Sequence, residues 1–369
     1  MNRPTNARAE RAGPLAGADR EVEDRAWVRG LPKAELHLHL SGSVRPTTAV
    51  RLARERGRFS ELSDAALMAR MVAPVRCADQ AELLRAFEVP VALLQDREAL
   101  SSAAAELVED VASDGTRYAE IRFAPASHAR GGLTVPGVIR AVAAGIHGAT
   151  AAADIEIRLI TIAMRTDPVE RSLEVARAAA DAQDLGVVGF DLAGLEATVP
   201  DVAPHLPAFR LARASGLGIT VHAGEWGGAA QVRAALAVDP DRIAHGGPAA
   251  DDPTLMAELA SRGITLDLCP TSNVQAALVS RMEDHPLPRL LRADVPVTLS
   301  TDDRTVSATD LVEEGVLALG PLGLTRCELV GLQRQALRAA FLHHDEALRA
   351  RLQRELETWL ARDEETTDR

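Results

Sequence analysis

Cysteine is scarce in this sequence, and its few cysteines stand far apart. The 369 residues include only Cys77, Cys269 and Cys327, and no two of them form a Cys-x-x-Cys pair. A disulfide framework is therefore not expected, and this usage is typical of a protein from a reducing compartment.

Basic and aromatic side chains are also few. Lysine and arginine total 41 against 53 acidic residues, which gives a net charge of −12, and aromatic residues make up 3% of the chain. A protein without a basic surface displaces no counterions from nucleic acid or from an anionic membrane. Proteins that bind single-stranded nucleic acid also need aromatic side chains on which the bases can stack. We therefore expect neither a nucleic-acid nor a membrane partner.

Long apolar runs are missing as well. No stretch approaches the roughly 20 apolar residues that a membrane-spanning helix needs. The first 26 residues lack the apolar segment of a secretory signal. We therefore expect a cytoplasmic protein with a disordered N-terminal tail over residues 1–26, one domain over residues 27–360, and a frayed C-terminal tail over residues 361–369.

What the sequence does contain is a regular alternation of short apolar runs and helical patterns. Hydrophobic residues make up 47% of the chain, which is enough for a large core. The alternation predicts βα units, and eight of them make a closed (β/α)8 barrel, an α/β fold of the TIM type. The predicted strands are residues 34–40, 118–125, 155–163, 187–194, 218–225, 242–247, 265–270 and 295–303.

Two segments are longer than this pattern requires. Residues 47–113 have a mainly helical pattern and are too long for one crossover helix, so we expect an inserted helical lid after strand 1. Residues 308–358 predict extra helices at the C-terminal end.

A His-x-His pair lies in the first predicted strand. Side chains alternate between the faces of a strand, so His37 and His39 point the same way. Two such imidazoles can together bind one zinc-type ion, each at about 2.0–2.1 Å. The pair alone is equally compatible with two hydrogen-bonded structural histidines. Gly42, three residues later, would allow a sharp turn of the backbone.

Polar side chains also lie at or near the ends of four other predicted strands. Chemistry in (β/α)8 barrels sits at the C-terminal ends of the strands, and the convergence of imidazoles with carboxylates there predicts a hydrolytic metal site. Each residue could instead be an ordinary cap or hydrogen-bonded group, and Asp191 is expected to be structural. The residues in question are Asp191 and Gly194, His222 and Glu225, His245, and Asp302 and Asp303. The remaining histidines are expected to be surface or local structural groups: His128, His147, His205, His285, His343 and His344.

Seven short motifs occur together and in one order. They are LPKAELHLH at 31–39, GFDLAG at 189–194, TVHAGE at 220–225, RIAHG at 242–246, CPTSN at 269–273, HPL at 285–287 and STDD at 300–303. Together they resemble the adenosine deaminase family of the amidohydrolase superfamily. The resemblance implies a zinc-dependent (β/α)8 barrel that hydrolyses the 6-amino group of adenosine, or of a related adenine nucleoside, to the 6-oxo group and ammonia.

The resemblance also implies roles for individual residues. One zinc ion per chain would be bound by His37, His39, His222 and Asp302. Glu225 would protonate or hydrogen-bond N1 of the purine, His245 would orient and deprotonate the metal-bound water, and Asp303 would help to position that water and would contact N7. The residues implied in substrate binding are His39, Ser41, Gly194 and Asp303, with Leu84 and Phe87 in an apolar lid over the purine.

Ser41 departs from the family pattern and leaves the substrate open. Adenosine deaminases typically carry Asp at this position, where it binds the 5′-hydroxyl, and adenine deaminases carry Glu. Alternatives are therefore a 5′-modified nucleoside such as aminodeoxyfutalosine, adenine itself, or another amidohydrolase reaction. Arg45 and Arg304 are candidate partners for an anionic 5′ group or are ordinary surface arginines. A catalytically silent nucleoside-binding protein is the alternative outside enzymes.

Overall fold

The computed structural model describes residues 17–367, and eight parallel strands form its centre. They pair in sequence order from β1 to β8. Two backbone hydrogen bonds between the end of β1 and the segment after β8 close the ring. His39 N–H donates to the Asp302 carbonyl at 2.7 Å, and Asp302 N–H donates to the His37 carbonyl at 3.0 Å. The strands are β1 (Lys33–His39), β2 (Thr116–Phe123), β3 (Glu156–Met164), β4 (Val187–Ala193), β5 (Gly218–Ala223), β6 (Arg242–His245), β7 (Thr265–Leu268) and β8 (Val297–Leu299).

Sixteen α-helices of the described residues surround this ring, and the predicted (β/α)8 barrel is confirmed. They are α1 (Gly17–Gly30), α2 (Pro46–Glu55), α3 (Asp64–Ala69), α4 (Gln80–Leu84), α5 (Glu88–Leu93), α6 (Arg97–Ser113), α7 (Val135–Thr150), α8 (Val169–Ala180), α9 (Leu206–Ala214), α10 (Gly228–Ala235), α11 (Pro253–Arg262), α12 (Pro270–Gln275), α13 (Leu287–Arg292), α14 (Leu311–Leu319), α15 (Arg326–Ala339) and α16 (Glu346–Thr367). None of these helices combines the length and the apolar composition that a membrane crossing requires.

Local sequence explains where the helices begin. The Asp96 side chain caps α6 by accepting from Ala99 N–H, and Thr134 caps α7 in the same way. Thr325 and Glu328 form a full capping box at the start of α15. Helices α2–α6 fill the predicted helical insertion between β1 and β2. Its action as a lid stays a prediction, and so does the single-domain division.

The described parts of both predicted tails are helical, and the division into tails and one domain stays a prediction. Helix α1 starts at Gly17, and α16 extends to Thr367. The Trp27 side chain joins the two helices. Its ring lies edge-on to the Trp359 ring, with centroids 5.5 Å apart, and its Nε1–H donates to Asp363 at 2.7 Å. These contacts pack the first helix against the last, which the charged composition of both segments concealed. Residues 1–16 and 368–369 lie outside the described part of the chain.

The last predicted strand is longer than the observed one. Residues 295–303 were expected to be extended, whereas β8 covers only Val297–Leu299. The backbone of Asp302 has φ 65°, a left-handed conformation that cannot continue a strand. His245, at the end of β6, has φ 67°. Such strained non-glycine residues are concentrated at functional sites.

Candidate active site

Four side chains from three strand ends converge on one point. The His39 Nε2 atom lies 3.1 Å from His37 Nε2 and 3.2 Å from His222 Nε2. Asp302 Oδ1 lies 3.1 Å from His37 Nε2 and 3.2 Å from His39 Nε2. A single N–H cannot be shared among three imidazoles, so these atoms do not form a satisfied hydrogen-bond network. Three nitrogens and one carboxylate oxygen instead fit a tetrahedral-type divalent cation.

The surroundings prepare the imidazoles to act as ligands. His222 Nδ1 lies 3.0 Å from Asp191 Oδ2, which places its proton on Nδ1 and leaves Nε2 free. Burial lowers the pKa of both His37 and His39, so both rings are neutral. Burial opposes the charge of Asp191, yet His222 and Arg122 hold the pKa of its carboxyl well below the usual range. Asp191 thus has the supporting role expected from the sequence.

Gly42 is required for space rather than for a turn. A Cβ atom at this position would lie 1.6 Å from Asp303 Oδ1 and 2.3 Å from its Cγ. The Gly42 carbonyl also accepts from the N–H groups of Thr305 and Val306, at 2.9 and 3.0 Å. Gly42 therefore joins the loop after β1 to the loop after β8. The chain does turn here, in a 3-10 segment over Ser41–Ser43, but Gly42 has no positive φ, so the space beside Asp303 is what requires glycine.

A buried carboxylate that sequence reasoning left without a role positions Glu225. Glu196 accepts three backbone N–H groups, from Gly224 at 2.6 Å, Glu225 at 3.0 Å and Trp226 at 2.9 Å. It is buried itself, and it follows β4, whereas Glu225 follows β5. The sequence offered one signal for Glu196, which is that this acid stands two residues after Gly194, where a predicted strand ends.

The environment of Glu225 favours its protonated form. Burial raises the pKa of this carboxyl well above its usual range, and the negative charges of Asp302 and Glu196 raise it further. Burial followed by the charges of Asp302 and Glu225 likewise raises the pKa of Asp303. Asp303 Oδ1 is buried and meets no hydrogen-bond donor within residues 17–367. Both acids line the same cavity.

A directional hydrogen-bond chain fixes the proton of His245. Leu287 N–H donates to His285 Nδ1 at 3.2 Å, so His285 carries its proton on Nε2, 3.1 Å from Asn273 Oδ1. The Asn273 amide nitrogen then donates to His245 Nδ1 at 3.1 Å. Burial lowers the pKa of His245 to about 3, so the ring is neutral with its single proton on Nε2. That atom lies 3.7 Å from Asp302 Oδ2 and 3.9 Å from Glu225 Oε2.

A cavity opens above these groups at the C-terminal ends of the strands. The empty space inside it, including the part open to solvent at the mouth, is about 760 Å³. One wall is apolar and comes from the inserted segment, through Leu83, Leu84, Phe87 and Val91. Gln80 ties this segment to the β4 loop by donating to the Gly194 carbonyl at 3.2 Å. The site residues expected from the sequence that line the cavity are His39, Ser41, Gly194, His222, Glu225, His245, Asp302 and Asp303.

Other sequence candidates lie elsewhere. Arg45 binds Asp110 at 2.6 Å, and Arg304 binds Asp114 at 2.6 Å, and neither arginine lines the cavity. His128, expected to be a surface or local group, is instead buried against the cavity with its Nε2 2.9 Å from Ser41 Oγ. His128 carried no sequence signal, whereas His285 belongs to the HPL motif at 285–287, which gave it no role. The role of each comes from a contact with another segment, which is Ser41 for His128 and Asn273 for His285.

Comparison with known proteins extends these observations. The family model described as adenosine deaminase matches residues 32–359. An adenosine deaminase from Enterococcus faecalis is 36% identical over 321 residues, which cover 86% of this chain and 94% of the relative. An Arabidopsis N6-mAMP deaminase superposes with a TM-score of 0.81 at 30% identity, covering 90% of this chain and 99% of its own. A zinc-bound amidohydrolase from Burkholderia ambifaria superposes with a TM-score of 0.83 at 26% identity, covering 96% of both chains.

Proposed function

The chain belongs to the adenosine deaminase family, and from that premise we propose that it deaminates adenosine with one zinc ion bound by His37, His39, His222 and Asp302. The chain catalyses the hydrolytic deamination of adenosine or of a related adenine compound. One observation supports zinc-dependent deamination most strongly. Three Nε2 atoms and one carboxylate oxygen converge beneath a cavity that acidic side chains line.

Zinc suits this set of ligands. Three imidazoles and one carboxylate are ligand types that zinc accepts, and a structural neighbour was crystallised with zinc. When bound, zinc would lower the pKa of water from 15.7 to about 7 and so supply hydroxide at neutral pH. The fixed tautomer of His222 and the neutral rings of His37 and His39 support binding of the ion.

Glu225 is the proposed acid. Addition of water at C6 of adenine pushes an electron pair onto N1, where a protonated carboxyl can donate its proton. The raised pKa of Glu225 provides that protonated form near neutral pH. Glu196 would hold the carboxyl in place through the backbone N–H groups that it accepts.

His245 orients the nucleophile in this proposal. Its proton lies on Nε2, so the ring donates a hydrogen bond to the oxygen of the attacking water and does not accept its proton. The water proton would pass to a carboxylate oxygen of Asp302 or Asp303 and from there to the 6-amino nitrogen, which would leave as ammonia as its bond to C6 breaks. The proton of the new C6 hydroxyl would return to Glu225, which restores the acid and leaves the 6-oxo group. Asp303 and the Gly194 backbone would contact the purine, as the resemblance implies. This differs from the sequence-based expectation of a His245 base.

Turnover of adenosine by the purified, zinc-loaded protein tests the function. We expect stoichiometric inosine and ammonia, loss of both on chelation, and their return when zinc is added back. Adenine and aminodeoxyfutalosine, assayed in parallel, test the alternative substrates. An inert protein with a full complement of zinc would contradict the proposal and favour a nucleoside-binding protein. A small purine nucleoside as partner and a cytoplasmic location complete the proposal.

A further inference from the structure

We propose that Gln80 is a positioning residue, which holds the Gly194 backbone so that its N–H can donate to N3 of the purine. This inference rests on the proposed function and specifies how the site recognises the ring. Gln80 is the first residue of α4, and it lies in the apolar wall of the cavity with only 4% of its surface exposed. Burial of an amide is unfavourable unless its polar atoms are hydrogen-bonded.

The Gln80 amide forms hydrogen bonds through both of its ends with one loop. Its Nε2 donates to the Gly194 carbonyl at 3.2 Å, and its Oε1 accepts from Ala197 N–H at 3.0 Å. These partners fix the orientation of the amide, because a carbonyl can only accept and a backbone N–H can only donate. Gln80 therefore braces the loop after β4 at two points.

The start of α4 holds Gln80 in place. The Asp79 side chain caps the helix by accepting from Glu82 N–H at 2.8 Å. The Glu82 side chain accepts in turn from Ala78 N–H at 2.7 Å. These two bonds fix the first turn of the helix, so the Gln80 side chain extends from a rigid element.

Gly194 needs this support because the ladder between β4 and β5 stops before it. The last pair of that ladder is Phe190 with Ile219, so the end of β4 has no strand partner on the β5 side. Gly194 has φ 103°, and without a Cβ atom its backbone is poorly restrained. Within residues 17–367, its carbonyl accepts a hydrogen bond only from Gln80.

The N–H of Gly194 faces the gap between the ends of β4 and β5. The carbonyl of the same peptide unit, which belongs to Ala193, accepts from Arg165 N–H at 2.8 Å on the β3 side. A trans peptide has its C=O and N–H on opposite sides, so the Gly194 N–H points away from β3. No carbonyl of the described residues accepts from it. Gly194 thus offers a free donor beside the cavity that it lines.

The order of three strands matches the order of atoms in the purine ring. His245 ends β6, Glu225 follows β5 and Gly194 follows β4. These strands are neighbours in the barrel. In adenine, C6, N1, C2 and N3 are consecutive. When the attacking water is held at His245 beside C6 and N1 meets Glu225, N3 comes next and meets the free N–H of Gly194.

The first test compares inosine with 3-deazainosine, in which a C–H group replaces N3. Calorimetric titration of the zinc-loaded protein measures both affinities without turnover. We expect the wild type to favour inosine by about 3- to 10-fold, the range for one hydrogen bond, and Gln80→Met to lose most of this preference. An equal preference in the two proteins would overturn the proposal.

Gln80→Glu separates the two hydrogen bonds of the amide. A carboxylate can still accept from Ala197 N–H but cannot donate to the Gly194 carbonyl, so the preference for inosine should fall as in Gln80→Met. Gln275→Met is the matched control and should keep the preference, because Gln275 is also buried but its Oε1 meets no donor in the described residues. A wild-type preference in Gln80→Glu would contradict the positioning of Gly194 by Gln80.

Kinetics distinguish positioning from a general loosening of the fold. A contact with N3 is present in the ground state and in the transition state alike. Its loss in Gln80→Met should therefore raise KM for adenosine by about 3- to 10-fold and leave kcat nearly unchanged. The zinc content should equal that of the wild type. A fall of kcat at unchanged KM would count against the proposal.

Failure of this inference can be distinguished from failure of the proposed function. If no substrate is deaminated but the preference for inosine depends on Gln80, the proposed function fails and the inference survives. If adenosine is deaminated and Gln80→Met binds the two ligands with the wild-type ratio, only the inference is overturned.

Discussion

At the scale of single residues, the site depends on groups that modify their neighbours rather than the substrate. Glu196 fixes the backbone of Glu225 and adds to the negative charge that raises its pKa. Gly42 leaves the space that the Asp303 carboxyl occupies. Neither residue touches the predicted ligand set, so both can be altered without removing a metal ligand.

Replacing Glu196 should shift the pH profile. Activity needs Glu225 protonated, so it falls as pH rises through the raised pKa of that carboxyl. Glu196→Gln removes one of the negative charges that raise this pKa, and the basic limb of kcat/KM should therefore move to lower pH. Arg233→Gln on exposed α10 is a control that should leave the limb in place. A basic limb that stays in place in Glu196→Gln would contradict this electrostatic role.

Replacing Gly42 should displace Asp303. A Cβ atom 1.6 Å from Asp303 Oδ1 forces the carboxylate to move, so Gly42→Ala should lower kcat/KM by about 10²-fold or more. Gly148→Ala is the matched control, because an added Cβ there meets nothing within 4 Å. It should keep full activity and gain about 0.5–1 kcal/mol of stability, since it lies inside α7. Normal kinetics in Gly42→Ala would show that Asp303 is not needed where it lies.

At the scale of elements, the loops after neighbouring strands hold one another. The β1 loop accepts from the β8 loop at Gly42, the β4 loop holds the β5 loop through Glu196, and α4 is tied to the β4 loop by Gln80. The hydrogen-bond chain to His245 begins at the first residue of α13 and passes through Asn273 of α12. Each link joins two elements, so the strand ends keep a fixed mutual position.

Asn273→Asp should reverse the last link of this chain. The carboxylate accepts where the amide donated, which would draw the His245 proton from Nε2 to Nδ1. We expect a loss of about 10- to 100-fold in kcat, as is usual for groups that orient a site residue. The ¹⁵N chemical shifts of the His245 ring, measured in both proteins, should report the change of tautomer. A wild-type ring with its proton on Nδ1 would refute the orienting role and restore the role of base.

At the scale of the whole molecule, the candidate ligands join β1, β5 and the end of β8 across the barrel. The sequence could predict the eight strands and the polar residues at their ends, because both depend on the local pattern of apolar and polar residues. It could not predict the roles of His128, His285 or Glu196, since each is defined by contacts between segments distant in sequence. The α1–α16 packing through Trp27 escaped for the same reason, and the left-handed backbone of Asp302 stops the extended chain before Asp303, which the sequence did not indicate.

Removal of the metal should destabilise the entire barrel. A cation at 1,000 times its Kd stabilises the folded state by about 4.1 kcal/mol, so chelation should lower Tm by roughly 5 °C or more. Differential scanning calorimetry with and without added zinc measures this shift. His222→Ala should have a low Tm that zinc does not raise, whereas Ser41→Ala should respond like the wild type. Equal Tm values in both states of the wild type would exclude a structural contribution from the ion.

The most direct test of the central claim compares the wild type with Glu225→Gln at equal zinc content. Zinc is measured by mass spectrometry of the metal, and inosine and ammonia are measured after incubation with adenosine. We expect one zinc per chain in both proteins and a loss of about 10²–10⁴-fold in kcat for the variant, because glutamine cannot donate the acid proton to N1. Full turnover by zinc-loaded Glu225→Gln, or none by the zinc-loaded wild type, would contradict the account.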